Sequence, residues 1–515
     1  MVRTFHYFNF NSFFVMAGMR NLAKDTAIYG LSSILGRFLN WCLVPFYSYV
    51  LTNSAEYGIV TELYAWTALL LVILTYGMET GFFRFANKAG ANPEQVYSTA
   101  LTSLAGSTVI FILFCLIFLP QISGILGYAN HQDFIWMMAV IVAIDSFRAI
   151  PFAWLRYKKR PILFASLNVL MIFTNIFFNL FFLFLCPKIQ TWKPGLIDWF
   201  YNPNYGVGYV FVSNLISSIV GVLTIVPTFI HIKWNFDAKL LKKMLFYSLP
   251  LLVLGITGVM NQSFDKMMFT HLFADKNYGQ TQLGIYGACY KIGVVMMMFT
   301  QAFRYAYEPF VFSKQKSKDS NKAYSDAMKY FFIFAVIIFL SIVYYLDILK
   351  YLVSPEYRSG LIVVPVVLVC FIFQGIYFNL SFWYKLSDQT KWGAYISLIG
   401  CCMTVFGNII FIPKFGYMGA AWVSCTSFFV MMFISWLLGQ KYYPIHYDMK
   451  SIAKYAVIGA LLYVTGMKIP IHSTVLRLTF RTILLILFTI YVIKKDSSFN
   501  PYSSLKKLLK MDNPA

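Results

Sequence analysis

Long apolar segments separated by short polar breaks recur along the whole chain. Each segment has about 18 to 25 residues, which is enough for a helix to cross a hydrocarbon core roughly 30 Å thick. The pattern therefore predicts an all-α, polytopic membrane protein with about fourteen transmembrane helices. We expect these helices over the ranges Ala27–Leu51, Tyr57–Met78, Tyr97–Leu119, Phe134–Leu155, Ile162–Cys186, Val207–Ile230, Leu245–Leu272, Leu283–Tyr305, Met328–Leu349, Leu361–Tyr384, Trp392–Ile412, Tyr417–Leu438, Ile452–Met467 and Thr474–Ile493.

A pattern in the first two segments returns once, further along the chain. Arg37 lies inside an apolar segment and precedes Tyr57-Gly58 by 20 residues, and Lys266 precedes Tyr286-Gly287 by the same number. Two further matches follow in the same order, namely Tyr157-Lys158 with Tyr384-Lys385 and, loosely, residues 205–208 with 415–419. An internal duplication of roughly 210 to 230 residues is far longer than a solenoid unit and is typical of transporter halves.

The duplication predicts the arrangement of the domains. Its copies begin six predicted helices apart, and because six is an even number both halves keep the same orientation in the membrane. We therefore expect two parallel-oriented six-helix lobes around a central cavity, followed by two helices outside the duplication. The predicted domains are a cytoplasmic N-terminal segment at 1–26, an N-terminal lobe at 27–244, a C-terminal lobe at 245–445, and the extra helices with a basic cytoplasmic tail at 446–515.

Composition and charge agree with a membrane protein. The chain is 59% hydrophobic and only 12% charged, whereas a soluble globular domain is about 25% charged. If the N-terminus is cytoplasmic, roughly four in five loop cations lie on the cytoplasmic side, as the positive-inside rule requires. The net charge of +22 is thus explained by topology and by contact with the lipid bilayer, so no nucleic acid partner is expected, and both termini are predicted to be cytoplasmic.

The cysteines and the known short motifs give no sign of a catalytic or metal centre. The eight cysteines lie in or beside apolar segments without histidines at ligand spacing, so we interpret them as core residues and expect neither disulfides nor a metal or other cofactor. The sequence has no GxxxxGK[ST], HExxH or CxxC motif. No acid/base constellation faces a loop of reaction size, which disfavours a membrane enzyme.

The first 18 residues lack the apolar run and the small-residue cleavage site of a signal peptide. We hypothesise that translation begins at Met19. Mass spectrometry that finds Met1 or Val2 at the mature N-terminus would contradict this hypothesis.

Charged residues inside the predicted helices indicate the functional site, because a charge is costly in a bilayer and tends to face a wet cavity. The residues expected to contact the substrate are Arg37, Arg148, Lys291, Asp145 and Lys266. Cations exceed anions among these residues, which suits a phosphate-bearing substrate. Arg37 has the best claim because no acidic residue lies three or four positions away, whereas Asp145 and Arg148 are three apart and could simply neutralise each other.

Five further residues are expected to form gating ion pairs: Glu62, Asp265, Arg84, Arg304 and Glu308. Glu62 corresponds to Lys291 in the duplication, so the two could pair between lobes; the alternative is that both snorkel to the membrane interface. Asp265 and Lys266 point about 100° apart on a helix, so we do not expect both to face one cavity. For Arg84 and Arg304 the alternative is anchoring at the membrane edge, and Glu308 could serve only to pair with Arg304.

Four stretches carry a resemblance to a known family: residues 19–64, YGMETGFFRFANK at 76–88, RYKKRP at 156–161 and PKFGYMGAAWVSCTS at 413–427. They resemble the polysaccharide and O-antigen lipid-linked oligosaccharide flippases of the multidrug/oligosaccharidyl-lipid/polysaccharide (MOP) exporter superfamily, and the resemblance covers essentially the whole chain. It implies a bacterial inner-membrane protein that moves an undecaprenyl-pyrophosphate-linked oligosaccharide to the periplasmic leaflet by alternating access. In such relatives a cationic cavity receives the sugar-pyrophosphate; Arg37, Arg148 and Lys291 would do so here.

Two other functions stay open at this stage. A cation-coupled exporter of small amphiphiles would depend on Asp145 or Asp265. A non-transporting scaffold of envelope glycan assembly would bind other polysaccharide-assembly membrane proteins through the basic loop Lys314–Lys329 and would not need Arg37. The sequence identifies neither the glycan repeat nor the driving force.

Overall fold

The computed structural model describes residues 34–51, 53–230, 234–314, 320–387 and 389–495. Met19 and the predicted N-terminal segment 1–26 lie outside these residues, as does part of the basic loop Lys314–Lys329. The described part consists of helices and connecting turns and contains no strand. Eleven helices in it are long and apolar enough to cross a membrane. The predicted all-α, multi-pass membrane fold is therefore confirmed, while the number of fourteen spans stays a prediction.

Three local features explain the difference between eleven and fourteen. Helix Lys391–Tyr442 joins two predicted spans in one element of 52 residues, broken at Gly416 by a backbone with φ 56° and ψ −140°. Because that positive φ strains residues with a Cβ atom, glycine is the residue suited to this kink. Helix Met449–Lys468 is present but less apolar than the eleven, with a lysine near each end. The predicted first span is described as a helix only over residues 34–50.

The chain forms two compact units. Unit 1 comprises Met1–Thr52 and Glu62–Val259, and unit 2 comprises Asn53–Thr61 and Met260–Ala515. Two helices belong partly to each unit: Ser54–Thr75 enters unit 1 at Glu62, and Ala238–Met268 enters unit 2 at Met260. The domain boundaries proposed from the duplication stay predictions.

Unit 1 is built from helices that begin and end at recognisable signals. Helix Pro93–Ile117, for example, starts with proline in its first turn, and the Asn92 side chain accepts hydrogen bonds from the Glu94 and Gln95 N–H groups at 3.1 and 3.4 Å. Unit 1 begins with the helix of residues 34–50 and the part of Ser54–Thr75 that follows Thr61, and it ends with Ala238–Met268 up to Val259. The α-helices between them are Met78–Ala86, Pro93–Ile117, Leu119–Leu126, Gln132–Tyr157, Pro161–Leu180, Cys186–Trp192, Gly208–Ile225 and Pro227–Ile230. Unit 1 also contains the π-helical segment Phe181–Leu185 and the 3-10 turns Pro194–Leu196 and Pro203–Tyr205.

Helix Gln132–Tyr157 is central in unit 1 because it packs against both Pro93–Ile117 and Gly208–Ile225. At one end of it, the Trp154 ring packs against Tyr97 and edge-on against Phe82 in a buried aromatic cluster. This packing holds the middle of the helix, where Asp145 and Arg148 lie, in a fixed setting.

Unit 2 has a similar construction. Its elements are Ser54–Thr61 of the shared helix, the end of Ala238–Met268, the 3-10 turn Thr270–Leu272, Lys276–Lys314, Ser320–Tyr344, Leu346–Leu349, the 3-10 segments Lys350–Leu352 and Pro355–Val363, Val364–Leu380, Phe382–Leu386, Lys391–Tyr442, Met449–Lys468 and Thr474–Lys495. Helix Val364–Leu380 packs against both Lys276–Lys314 and Lys391–Tyr442 around a buried core that includes Tyr377 and Phe428.

The eight cysteines are free thiols. Five of them are buried, as expected for small core residues, whereas Cys42 and Cys402 are exposed on the surface of the chain and Cys401 is half-buried. The interpretation of every cysteine as a core residue is therefore wrong for Cys42 and Cys402, because an apolar segment of a membrane protein also has a face that packs against no other helix.

Candidate transport site

Arg37 lies on the helix of residues 34–50 with an exposed side chain. It forms no hydrogen bond or ion pair with any residue that the structure describes. The preceding Gly36 lies close to the helix Pro161–Leu180, since a Cβ atom at Gly36 would come 2.8 Å from Ile172 Cδ1. A full positive charge is therefore carried on an apolar helix of unit 1 with no described carboxylate to neutralise it.

Asp145 and Arg148 form the second charged position in unit 1. Arg148 Nη2 lies 3.3 Å from Asp145 Oδ1, and about a quarter of each side chain is exposed. The Ser218 hydroxyl donates to the same carboxylate oxygen at 3.0 Å, and Arg148 Nη1 lies 2.6 Å from Met171 Sδ. The two charges are thus paired along one helix face, as their spacing predicted, and the cluster has no net charge.

Asp265 and Lys266 form a closed cluster in unit 2. Lys266 Nζ lies 3.0 Å from both oxygens of the Asp265 carboxylate and donates to the Gln262 carbonyl at 3.1 Å. The Tyr286 hydroxyl donates to Asp265 at 2.8 Å, and the Tyr290 ring centre is 4.1 Å from Lys266 Nζ. The two charged groups pair although their positions on the helix are about 100° apart, because the flexible stem of a lysine lets its ammonium reach the neighbouring carboxylate. That the two residues do not both face one cavity stays a prediction.

Glu62 and Lys291, equivalent positions in the duplication, have different surroundings. Glu62 is fully buried in unit 1 and accepts a hydrogen bond from the Tyr128 hydroxyl at 2.9 Å. Because no part of Glu62 reaches the surface, the snorkelling alternative is wrong for this residue. Lys291 is exposed on helix Lys276–Lys314 of unit 2. Pairing between these two residues stays a prediction.

The remaining predicted residues, Arg84, Arg304 and Glu308, make contacts within their own units. In unit 1 the Arg84 guanidinium lies 4.0 Å from the centre of the Tyr247 ring. In unit 2 Arg304 Nε is 3.5 Å from Glu308 Oε2, and Lys385 Nζ is 3.8 Å from Glu308 Oε1. Glu308 therefore bridges two cations, and only the pairing with Arg304 was expected from the sequence.

A charged cluster that the sequence analysis missed lies at the end of unit 2. Arg481 is 5% exposed and donates to Asp347 Oδ2 at 2.9 Å, and Arg477 Nε is 2.8 Å from the same oxygen. Arg481 also donates to the Gly466 and Tyr344 carbonyls at 2.9 and 3.1 Å. The signal in the sequence is an arginine inside the apolar segment Thr474–Ile493, which lies outside the predicted duplication.

Among the predicted site residues, the structure brings together Asp145 with Arg148, Asp265 with Lys266, and Arg304 with Glu308. Arg37 joins none of these pairs. Among the cations inside the predicted spans, Arg148 and Lys266 are each held by a carboxylate, whereas Arg37 lies on an exposed helix surface.

This architecture of long apolar helices with a few charges inside them is that of a multi-pass membrane protein. The family model described as "Polysaccharide biosynthesis protein" matches residues 22–313, more than half of the chain, and the chain belongs to this family. A search of curated protein sequences gives no significant match.

Several solved structures share the fold. The chain is 14% identical to the lipid II flippase MurJ in an inward closed conformation, with a TM-score of 0.68, covering 90% of this chain and 98% of MurJ. It is 15% identical to an inward-facing multidrug resistance MATE family transporter of the MOP superfamily, with a TM-score of 0.61 and coverage of 83% and 99%. A third match is the MATE multidrug transporter DinF-BH, at 16% identity, a TM-score of 0.56 and coverage of 84% and 96%. The predicted relation to polysaccharide-synthesis proteins is confirmed by the family match, and these structures confirm the fold.

Proposed function

We propose that the protein is a flippase that moves undecaprenyl-pyrophosphate-linked oligosaccharide units across the bacterial inner membrane for surface polysaccharide synthesis. In this proposal it works by alternating access, both termini are cytoplasmic, and the protein catalyses no covalent reaction. The family supports a role in polysaccharide biosynthesis, and the fold shared with MurJ and MATE structures supports transport.

The observation that carries the proposal is the state of Arg37. Two other cations of the predicted site, Arg148 and Lys266, each contact a carboxylate at 3.3 Å or less, so their charge is already balanced. Arg37 is exposed and has no such partner among the described residues. An unbalanced guanidinium on an apolar helix is suited to a ligand that brings its own negative charge, and a pyrophosphate offers several oxygens to its forked donors.

The remaining predicted residues receive supporting roles. Arg148 and Lys291 would add positive charge around the pyrophosphate. Asp145 and Lys266 are members of the two ion pairs, and these pairs would determine how much positive charge the substrate meets. Glu62, Asp265, Arg84, Arg304 and Glu308 would belong to contacts that change as the transporter alternates. The polar sugars would travel in the cavity while the polyprenyl chain stays in the bilayer, which avoids taking the glycan through hydrocarbon.

The test is flipping of a fluorescent undecaprenyl-pyrophosphate oligosaccharide in proteoliposomes. We expect Arg37→Ala to slow flipping roughly 10- to 100-fold, the equivalent of one lost charge-assisted hydrogen-bonding group. Arg37→Lys should lose less, because it keeps the charge and loses only the forked geometry. Lys468→Ala, which removes an exposed cation from the end of helix Met449–Lys468, is the matched control and should flip at the wild-type rate.

The outcome separates the three functions. A wild-type protein that flips lipid-linked glycans while Arg37→Ala, still folded, does not would support the proposal. Transport of small cations against a Na⁺ or H⁺ gradient, with no glycan movement and dependence on Asp145 or Asp265, would identify an exporter instead. If Arg37→Ala supports polysaccharide synthesis in cells as well as wild type does, the cationic site is unnecessary and the scaffold function is favoured.

A further inference from the structure

A groove of about 580 Å³ runs along the surface of unit 1, beside the first part of helix Ala238–Met268. Residues 238–249 of this helix form its long wall, and Tyr76 also lines it. The helix residues in the wall are apolar except for Lys242. Two of them, Phe246 and Leu249, are 85% and 61% exposed, so the described residues leave a large apolar surface uncovered.

Another face of the same helix packs tightly within unit 1. Met244 and Ser248 on this face are fully buried. A Cβ atom at Gly77 would come 3.1 Å from the Ser248 carbonyl oxygen, and one at Gly81 would come 2.7 Å from the Ser248 hydroxyl oxygen. The two glycines let the helix approach the start of Met78–Ala86 closely, and this contact determines which of its residues face the groove.

Tyr76 occupies a strained position beside the groove. Its backbone has φ 34°, in the left-handed region that residues with a Cβ atom seldom adopt. Its hydroxyl oxygen lies 2.6 Å from the hydroxyl oxygen of Ser103, on helix Pro93–Ile117, and this hydrogen bond fixes the side chain. Backbone and side chain together therefore hold this wall of the groove in place without a ligand.

Basic residues surround one end of the groove. Lys239 and Lys243 are exposed on the first two turns of the helix, on either side of Lys242 in the sequence. The Asp237 carboxylate accepts hydrogen bonds from two N–H groups of the first turn, at 2.8 and 3.0 Å, and so caps the helix. Residues 237–243 therefore carry three cations and one anion. A lysine stem can follow the apolar wall while its ammonium reaches the polar headgroups.

The chain before this helix indicates how deep the groove lies in a bilayer. Trp234 is 58% exposed, and the next residue is attached to helix Pro93–Ile117, since the Asn235 N–H donates to Ser98 Oγ at 2.9 Å. An exposed tryptophan at the end of a spanning helix is typical of the headgroup level. From residue 238 to 249 a helix rises about 17 Å, close to the roughly 15 Å of one leaflet. The groove thus covers the depth that one lipid chain occupies.

We propose that this groove binds one anionic phospholipid, with an acyl chain along residues 238–249 and the headgroup phosphate at Lys242 and its neighbouring lysines. An acyl chain is about as long as one leaflet is thick, whereas a polyprenyl chain is much longer than the groove. The cations at one end favour an anionic headgroup over a zwitterionic one. The inference goes beyond the proposed function, because this lipid is a bound component and not the cargo; the proposed topology would place it in the cytoplasmic leaflet.

The first experiment tests the headgroup by native mass spectrometry of the purified protein with phosphatidylglycerol or with phosphatidylcholine of the same chains. We expect one phosphatidylglycerol to bind at least about fivefold more tightly than phosphatidylcholine. Lys242→Gln should weaken phosphatidylglycerol binding about fivefold, the effect of one lysine near a headgroup. Lys88→Gln, an exposed cation of unit 1 that does not line the groove, is the control and should change nothing. Equal binding of both lipids, or equal effects of both substitutions, would overturn the proposal.

The second experiment fills the groove. Leu249→Trp adds a larger side chain at a position that is 61% exposed, where the fold should tolerate it. The control is Leu461→Trp, on helix Met449–Lys468 of unit 2, where the native leucine is also 61% exposed. We expect phosphatidylglycerol binding to fall at least about tenfold for Leu249→Trp and to stay at the wild-type level for Leu461→Trp. Unchanged binding by the first variant, or an equal loss by both, would overturn the proposal.

A third measurement separates the phospholipid from other occupants. Phosphatidylglycerol with a photoactivatable acyl chain should cross-link to peptides from residues 238–249, and excess undecaprenyl pyrophosphate should not prevent it. If that lipid blocks the cross-link, the groove belongs to the transport substrate, and the proposal is overturned. If Leu249→Trp converts a dimer into a monomer, the groove is an interface between copies, and the proposal also fails. None of these measurements requires flipping, so the proposed function can fail while the phospholipid site stands.

Discussion

The buried guanidinium of Arg481 provides a prediction about what holds the last two helices to unit 2. The perturbation is Arg481→Met, which keeps an unbranched apolar stem and removes the charge and the N–H donors. In the structure these donors reach three acceptors on two other parts of the unit: the Tyr344 carbonyl, the Gly466 carbonyl and Asp347. Both carbonyls lie in the last turn of their helices, where no intrahelical donor follows.

The size of the effect follows from what the substitution leaves behind. Asp347 keeps its contact with Arg477 at 2.8 Å, so its charge is not stranded. The two carbonyls lose their donor in a place where Arg481 itself is only 5% exposed, at a cost of about 1–3 kcal/mol each. We therefore expect Arg481→Met to reduce the free energy of unfolding by about 3–5 kcal/mol, within the range that the loss of a donor by both carbonyls gives.

Thermal unfolding of the purified protein in detergent measures this loss. If a chain of this length unfolds as one unit, 1 kcal/mol corresponds to on the order of 1 °C, so Tm should fall by about 3–5 °C. Arg477→Met is the matched control, since Arg477 is about a quarter exposed and should cost no more than about 1 kcal/mol. A Tm for Arg481→Met equal to that of wild type, or a loss no larger than that of Arg477→Met, would refute the reasoning.

Two further predictions concern a glycine and a helix cap. Gly284→Ala should lower Tm, because its Cβ atom meets the Ser54 carbonyl oxygen, whereas Gly106→Ala, with nothing within 4 Å, should leave Tm unchanged or raise it; equal effects would contradict the close contact. Hydrogen bonds from Ser451 lower the pKa of Asp448, so the carboxylate stabilises the fold at neutral pH and this contribution is lost as pH falls below about 4. Asp448→Asn should therefore be less stable than wild type at pH 7, by less than about 1 kcal/mol, and this difference should shrink as pH falls below about 4; a difference that does not change with pH would contradict this.

Much of the fold follows from the sequence because the bilayer imposes a length. An apolar run such as Thr474–Ile493 has to be helical to satisfy its backbone in hydrocarbon, and the observed helix Thr474–Lys495 extends it by only two residues. The ends are less predictable, because polar residues continue a helix beyond the apolar run. Helix Lys276–Lys314, for instance, exceeds its predicted span Leu283–Tyr305 at both ends.

The site was harder to predict because charge balance depends on contacts between helices. Asp145 and Arg148 are three residues apart on one helix, so their pairing could be derived from spacing alone. The partner of Glu62 is Tyr128, 66 residues away, and the partner of Arg481 is Asp347, 134 residues away. No periodicity within a segment encodes such contacts, since they depend on how each helix is rotated and which helix it packs against.

The predicted duplication has one position at which its two copies have different surroundings. Arg37 and Lys266 both lie 20 residues before a Tyr-Gly motif, so they are equivalent in sequence. Lys266 is preceded by Asp265, whose carboxylate binds it, whereas Arg37 is preceded by Gly36, which has no side chain and packs near Ile172. A single neighbouring residue thus decides whether the cation is neutralised within its own helix. The second copy uses its cation to build a closed cluster with Tyr286, while the first copy leaves its cation exposed, and this asymmetry is the physical reason to test the proposed phosphate contact at Arg37 first.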